Sequence, residues 1–460
     1  MKMKQLTMTL ASAAVLAGAA WAALSFAQTT ASGPVSSAAA ATAAAATDTA
    51  TDSADHALIE KGRYLAAAAD CIACHTAKGG KPFAGGLGIA SPIGTIYSTN
   101  ITPDAQTGIG NYSYEDFDNA VRHGIAKNGS TLYPAMPYVS YAKVKPSDVK
   151  ALYAYFMHGV EPVSQPDRAT GIRWPLSMRW PLRFWRIAYA PAVVTDDTPL
   201  ADDPVVRGRY LVEGLAHCSA CHTPRGVGLE EKSLTDDGHT FLSGGVVDGY
   251  LAKNLRGDAK DGLASWSQAD IVAFLKSGRT AHSAAFGGMA EVVEDSTQHM
   301  SDADLNAIAA YLKTLAPADP SSQALAANGT AAAALRAGTD RSNGALTFVD
   351  NCAACHRTSG SGYDSTFPTL ALSTVVNSAD PASLIHIVLQ GGEMPWTQAG
   401  PTHYAMPGFA NRLTDRDIAD VLTFVRSSWG NHAGPVTPAE VAKARKAAGA
   451  PPQPGRPENG

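Results

Sequence analysis

The chain has 460 residues, 45% of them apolar, which is too long for one ordinary domain and rich enough to bury several cores. Its formal net charge of −5, with no basic run that could line a phosphate backbone, argues against nucleic acid as a partner.

At the N-terminus Lys2 and Lys4 precede an alanine-rich apolar stretch that ends at Ser25-Phe26-Ala27. This is the pattern of an export signal, residues 1–27, cleaved after Ala27. The competing reading is an uncleaved anchor, because the stretch approaches bilayer-spanning length. Residues 28–54 are low-complexity Ala/Ser/Thr and are expected to form a tether. No later stretch is apolar enough to span a membrane, so the mature chain is expected to be exported, either free or held at a membrane surface.

Three units then repeat: 55–165, 204–316 and 341–432. The first opens K-G-R-Y-L-A-A-A-A-D-C-I-A-C-H, the second R-G-R-Y-L-V-E-G-L-A-H-C-S-A-C-H, and the third, more loosely, N-G-A-L-T-F-V-D-N-C-A-A-C-H. Apolar residues at helical spacing run into each cysteine pair. A mid-unit helix follows in each: Y-E-D-F-D-N-A-V-R-H-G, Q-A-D-I-V-A-F-L-K-S-G and D-P-A-S-L-I-H-I-V-L-Q-G-G, all stopping at glycine. Closing helices begin P-S-D-V-K, S-D-A-D-L and T-D-R-D-I, with acidic first turns. A Trp/Pro/Arg-rich connector spans 166–203, a linker 317–340, and a Pro/Gly-rich tail expected to be disordered 433–460. No strand pattern of useful length appears, so the expected architecture is all-α, three tandem domains in series.

All six cysteines fall in the three C-x-x-C-H pentapeptides: Cys71 and Cys74, Cys218 and Cys221, Cys352 and Cys355, followed by His75, His222 and His356. A structural zinc site needs four ligands together, but these pairs lie 147 and 134 residues apart. A redox dithiol needs no adjacent histidine. Covalent haem attachment uses all three residues. On a helix, thiols at i and i+3 and an imidazole at i+4 share one face, so two thioethers can hold a porphyrin while the imidazole binds iron. Three haem c groups are therefore expected.

The second axial ligand is expected from methionine in a loop between the mid-unit and closing helices. Met136 in Y-P-A-M-P-Y and Met406 in Y-A-M-P-G-F occupy matching places, 61 and 50 residues after their histidines. Met289 in F-G-G-M-A lies 67 after His222. Met394 competes with Met406, while Met157 and Met178 read as core filler and Met300 opens a closing helix. His123, His282 and His403 read as surface or propionate-side groups, and His217 is too close to Cys218 to reach the far side of an iron. With both axial positions filled, substrate cannot reach the metal, so the units pass electrons and form a relay.

No complete G-x-G-x-x-G fingerprint, phosphate loop or nucleophile elbow is present, which leaves any substrate oxidation to another subunit. A haem peroxidase with an open iron and a free-standing periplasmic carrier or oxidase subunit are the competing classes. The runs S-P-I-G-T-I-Y-S-T-N-I-T-P-D, Y-P-A-M-P-Y, W-P-L-S-M-R-W-P-L and H-S-A-A-F-G-G-M-A-E-V-V resemble the tri-haem cytochrome c subunits of bacterial membrane-bound dehydrogenases, over about 56–432. The resemblance implies a catalytic flavoprotein or quinoprotein partner oxidising gluconate, an alcohol or a related polyol or aldehyde, with a small third subunit. It implies ubiquinone as acceptor and a place on the periplasmic face of the cytoplasmic membrane. The alcohol dehydrogenase branch usually carries a C-terminal amphipathic extension, which A-P-P-Q-P-G-R-P-E-N-G does not supply. R-W-P-L-S-M-R-W-P-L-R-F-W-R, 173–186, reads equally as a membrane-interfacial segment or as a packed connector.

Overall fold

The computed structural model describes residues 53, 55–247, 249–400 and 402–451. The expected signal segment, and all of the tether but residue 53, lie outside the described residues.

Each unit is framed by an opening and a closing helix that cross at a glycine. The opening helices are 55–68, Pro204–Tyr210 (continued by a wide π turn, Leu211–Leu215) and Asn343–Asn351. The closing helices are Pro146–His158, Asp302–Leu312 and Asp415–Ser427. A Cβ added at Gly62 or Gly208 would stand 1.9 Å from the carbonyl oxygen of Ala151 or Ala307, and one at Gly344 2.4 Å from that of Asp420. Only a residue without a side chain lets the two backbones approach this closely. Gly208→Ala is accordingly expected to destabilise the protein by about 3 kcal/mol or more, the upper range for overpacking. Gly238→Ala, where a Cβ meets nothing within 4 Å, should change the denaturation midpoint little.

The mid-unit helices are Tyr114–His123, Gln268–Ser277 and Ala382–Gln390. The first two start with reciprocal caps, Ser113 with Asp116 and Ser267 with Asp270, and end at Gly124 and Gly278 in left-handed geometry.

The all-α expectation is corrected here. Each unit carries a short antiparallel ribbon: Gly88–Ile89 with Ile96–Tyr97, Gly245–Val247 with Tyr250–Ala252, and Gly391–Glu393 with Ala405–Pro407. Strands of two or three residues are too short to show hydrophobic alternation, and long irregular loops carry much of the remaining chain.

Units one and two share a single hydrophobic core in which Leu65, Phe83, Leu152 and Phe156 join Leu211, Leu215, Trp266 and Leu305. A reciprocal exchange locks them together. Tyr64 of the first opening helix donates to Asp304 of the second closing helix at 2.6 Å. Tyr210 of the second opening helix donates to Asp148 of the first closing helix at 2.5 Å. Arg207 adds a two-pronged ion pair to Asp304, and Lys61 one to Asp148. Unit three builds its own core around Phe348, Leu422 and Trp429.

The tail expected to be disordered from 433 is also corrected. Thr437 and Glu440 cap a helix, Pro438–Ala447, that buries Val441 against unit three. Its Arg445 pairs with Asp415 at 2.7 Å and donates to the carbonyls of Ala410 and Leu413. The linker contains a further helix, Thr330–Ala337, with Ala332 in the same core.

Candidate functional site

The three pentapeptides adopt one geometry. Cys71–His75 is a single helical turn; in the other units Cys218 and Cys352 begin the turn that ends at His222 and His356. The backbone N–H of His222 and of His356 donates to the carbonyl of the first cysteine, at 3.0 and 2.9 Å. These are helical i to i−4 bonds, so the first thiol and the imidazole lie on one face. No disulfide joins any of the six cysteines. Burial pushes Cys71, Cys218 and Cys352 up to about 12, which keeps them neutral.

Each histidine carbonyl then accepts a glycine N–H: Gly85 at 2.7 Å, Gly244 at 2.8 Å and Gly362 at 3.1 Å. After His75 and His222 the hydroxyls of Thr76 and Thr223 accept from Phe83 and Leu242, tying the turn to the following loop.

The imidazoles are oriented alike. Nδ1 of His75 lies 2.7 Å from the carbonyl oxygen of Thr99, Nδ1 of His222 2.7 Å from that of Lys253, and Nδ1 of His356 3.0 Å from that of Pro368. A carbonyl oxygen can only accept, so each Nδ1 carries the proton and each Nε2 is left with its lone pair. Burial lowers all three histidines, His222 to about 4, holding them neutral. Asn100 and Asn254 follow the first two carbonyls and turn the chain, accepting from the N–H of Thr102 and of Arg256 at 2.9 Å. These backbone acceptors escaped the sequence reading, since the orienting atom carries no residue identity; the asparagine after it is the signal that could have found two of them.

The methionines occupy three settings. Met136 sits in a turn, its N–H donating to Tyr133 and its carbonyl accepting from Tyr138, half-buried against the shared core. Met289 was expected in a loop but is the second residue of a helix, Gly288–Asp295, entered through Gly287 at φ 57°. Met406 lies on a ribbon strand opposite Gly392. Met394 continues the partner strand, its N–H donating to Tyr404 at 3.1 Å, so the register puts Met394 and Met406 on the same face. Met300 is core. His217 is fixed by a 3.2 Å bond from its Nε2 to the carbonyl of Ala69, while His282 stacks on Trp266 and His403 on Trp396.

The helix bearing Met289 bridges the units. It packs on the Cys71–His75 turn of unit one. From its far end Glu294 accepts from the N–H of Trp396 in unit three at 3.1 Å, and Gln298 just beyond donates to the Trp396 carbonyl at 3.0 Å. Arg279 also reaches across, donating to the carbonyls of Gly400 and Thr402.

Three helical units, each with two thiols and an oriented imidazole on one turn, define a multi-site c-type haem scaffold. The family model described as Cytochrome c matches residues 59–159, 205–316 and 342–429. The chain is 56% identical over 403 residues to the gluconate 2-dehydrogenase cytochrome c subunit of Pantoea cypripedii, covering 86% of this chain and 91% of that one. It is 51% identical to the cytochrome c subunit of the alcohol dehydrogenase (quinone) of Gluconobacter oxydans, covering 85% and 83%. It is 39% identical to the fructose dehydrogenase cytochrome subunit of Gluconobacter japonicus, covering 85% and 84%. The chain belongs to the cytochrome c family, whose cofactor is haem c. The residues present fit that group: two thiols outside any disulfide stand on the same turn as a neutral imidazole whose Nε2 is the unprotonated nitrogen.

Proposed function

We infer that the chain is a tri-haem relay that accepts electrons from a partner dehydrogenase subunit and passes them to ubiquinone at the periplasmic face of the cytoplasmic membrane. The relatives' names support the first half, since they are cytochrome subunits of gluconate, alcohol and fructose dehydrogenases. Haem supplies one-electron carriage when bound. Every other task falls to the chain. In each unit the two thiols would hold the haem as thioethers, each S–H adding across a vinyl group with no net change of oxidation state. His75, His222 and His356 would supply nitrogen through Nε2, and Met136, Met289 and Met406 would supply sulfur. Thioether is a soft donor that favours ferrous iron and raises the potential. With nitrogen and sulfur both bound, these sites exchange electrons and leave substrate chemistry to the partner.

The observation that carries the relay is the bridging helix. One short element, Gly288–Asp295, touches the cysteine turn of unit one and the Trp396 segment of unit three. Cys221 of unit two lies near enough to Cys74 of unit one for a charge on it to disfavour ionisation of the Cys74 thiol, after burial and Asp70. Unit two therefore stands between the other two sites.

The test is anaerobic mixing of the purified complex with the partner's substrate, followed by a ubiquinone analogue. The expected result is reduction of all three haems and their reoxidation by the quinone. Haems that stay oxidised while the partner's flavin or quinone cofactor is reduced would assign the chain to the free-standing carriers instead.

A further inference from the structure

The connector between units one and two turns large apolar side chains outward. Trp174 is 79% exposed, Trp180 65%, Phe184 63% and Ile187 67%. Trp180 and Phe184 meet edge to face at 6.2 Å, both in the open. The exposure does not come from a loose chain, because the opposite side of the segment is pinned. Ile172 is buried. The Arg179 guanidinium lies 3.9 Å from the ring centre of Tyr133 and donates to the carbonyl of Thr131. Within the helix Leu182–Tyr189, Trp185 faces inward, donating its indole N–H to the carbonyl of Gly228 at 2.7 Å and packing edge-on to Tyr138. Phe184 and Ile187, three residues apart, share the outward side. Beside this helix, the Gly226–Glu230 loop exposes Val227 and Leu229.

Charge selects what covers this face. Residues 168–195 hold five arginines and no acidic residue, in a chain whose formal charge is −5. Arg173 and Arg183 are exposed among the aromatic rings. Tryptophan interleaved with exposed arginine, with no carboxylate in the segment to balance it, suits the headgroup layer of an anionic bilayer.

We propose that Arg173–Tyr189 seats the protein on an anionic phospholipid surface, with Trp174, Trp180, Phe184 and Ile187 at headgroup depth and Arg173 and Arg183 on lipid phosphates. This deepens the relay reading by naming the surface that brings the chain to a lipid-soluble quinone. The test is flotation of the full-length holoprotein with vesicles of phosphatidylethanolamine and phosphatidylglycerol, or of phosphatidylcholine alone. The wild type is expected to float with the anionic vesicles and to partition about tenfold less into neutral ones. Replacing Trp174, Trp180, Phe184 and Ile187 together by Ser should reduce flotation by about tenfold or more. The same variant should keep its haem spectrum, its dehydrogenase subunit and haem reduction by that subunit, which separates this inference from the relay itself. Arg173→Gln with Arg183→Gln should abolish the preference for anionic lipid. The proposal is overturned if the serine variant floats like the wild type, or if it loses the dehydrogenase subunit while still floating, which would make the patch a protein interface.

Discussion

Cys218→Ala combined with Cys221→Ala is expected to remove one haem in three and to bring substrate-driven quinone reduction to background. The two thiols lie on the turn that presents His222, and without thioethers a haem is held by axial ligation alone. The fold should survive. Leu211, Val212 and Leu215, which tie this turn to the core shared with unit one, are fully buried and untouched. The loss of turnover follows from position, because the bridging helix of unit two connects the cysteine turn of unit one to unit three. The readouts are intact mass and steady-state quinone reduction in the complex. A variant that keeps three haems rejects the attachment site, and one that loses a haem but turns over normally rejects the central place of unit two.

Met289→Ala is expected to leave the haem count at three but to turn one haem high-spin and lower its potential. Axial ligands move haem potentials over a range of roughly 0.8 V, so losing the thioether should lower this one by about 0.1 V or more. The helix itself should be retained, since alanine is the best helix former and Val293, not Met289, is its buried anchor. Although the helix packs on the cysteine turn of unit one, Met289 supplies no ligand to the first haem in this assignment, so that haem should move far less. An optical spectrum and a redox titration settle the assignment, and an unchanged trace would place the sulfur ligand elsewhere. The same pair of measurements on Met406→Ala and Met394→Ala decides between two methionines that the ribbon register puts on one face.

Much of this was legible in the sequence because it is local. A C-x-x-C-H turn is five consecutive residues, the helix caps are read three residues apart, and a glycine stands eight to ten residues before each cysteine pair. The glycine's purpose was not legible, since the carbonyl it admits lies on another helix: Gly62 meets Ala151 and Gly208 meets Ala307. The fusion of units one and two was hidden for the same reason, Tyr64 reaching Asp304 across 240 residues. The ribbons were missed because two paired residues make no pattern. The tail is a different kind of miss. Thr437 and Glu440 form the reciprocal cap that starts a helix, and Val441 and Arg445, four apart, are the buried pair behind it. That signal was present in T-P-A-E-V-A-K-A-R, but Pro/Gly-rich flanks masked it.

Haem stoichiometry bears most directly on the whole scheme. The matured, purified chain should carry three covalently bound haems per polypeptide, read as added intact mass and as three equivalents by pyridine haemochrome absorbance after denaturation. A chain with the mass of its amino acids alone, or with fewer than three haems after full maturation, would contradict it.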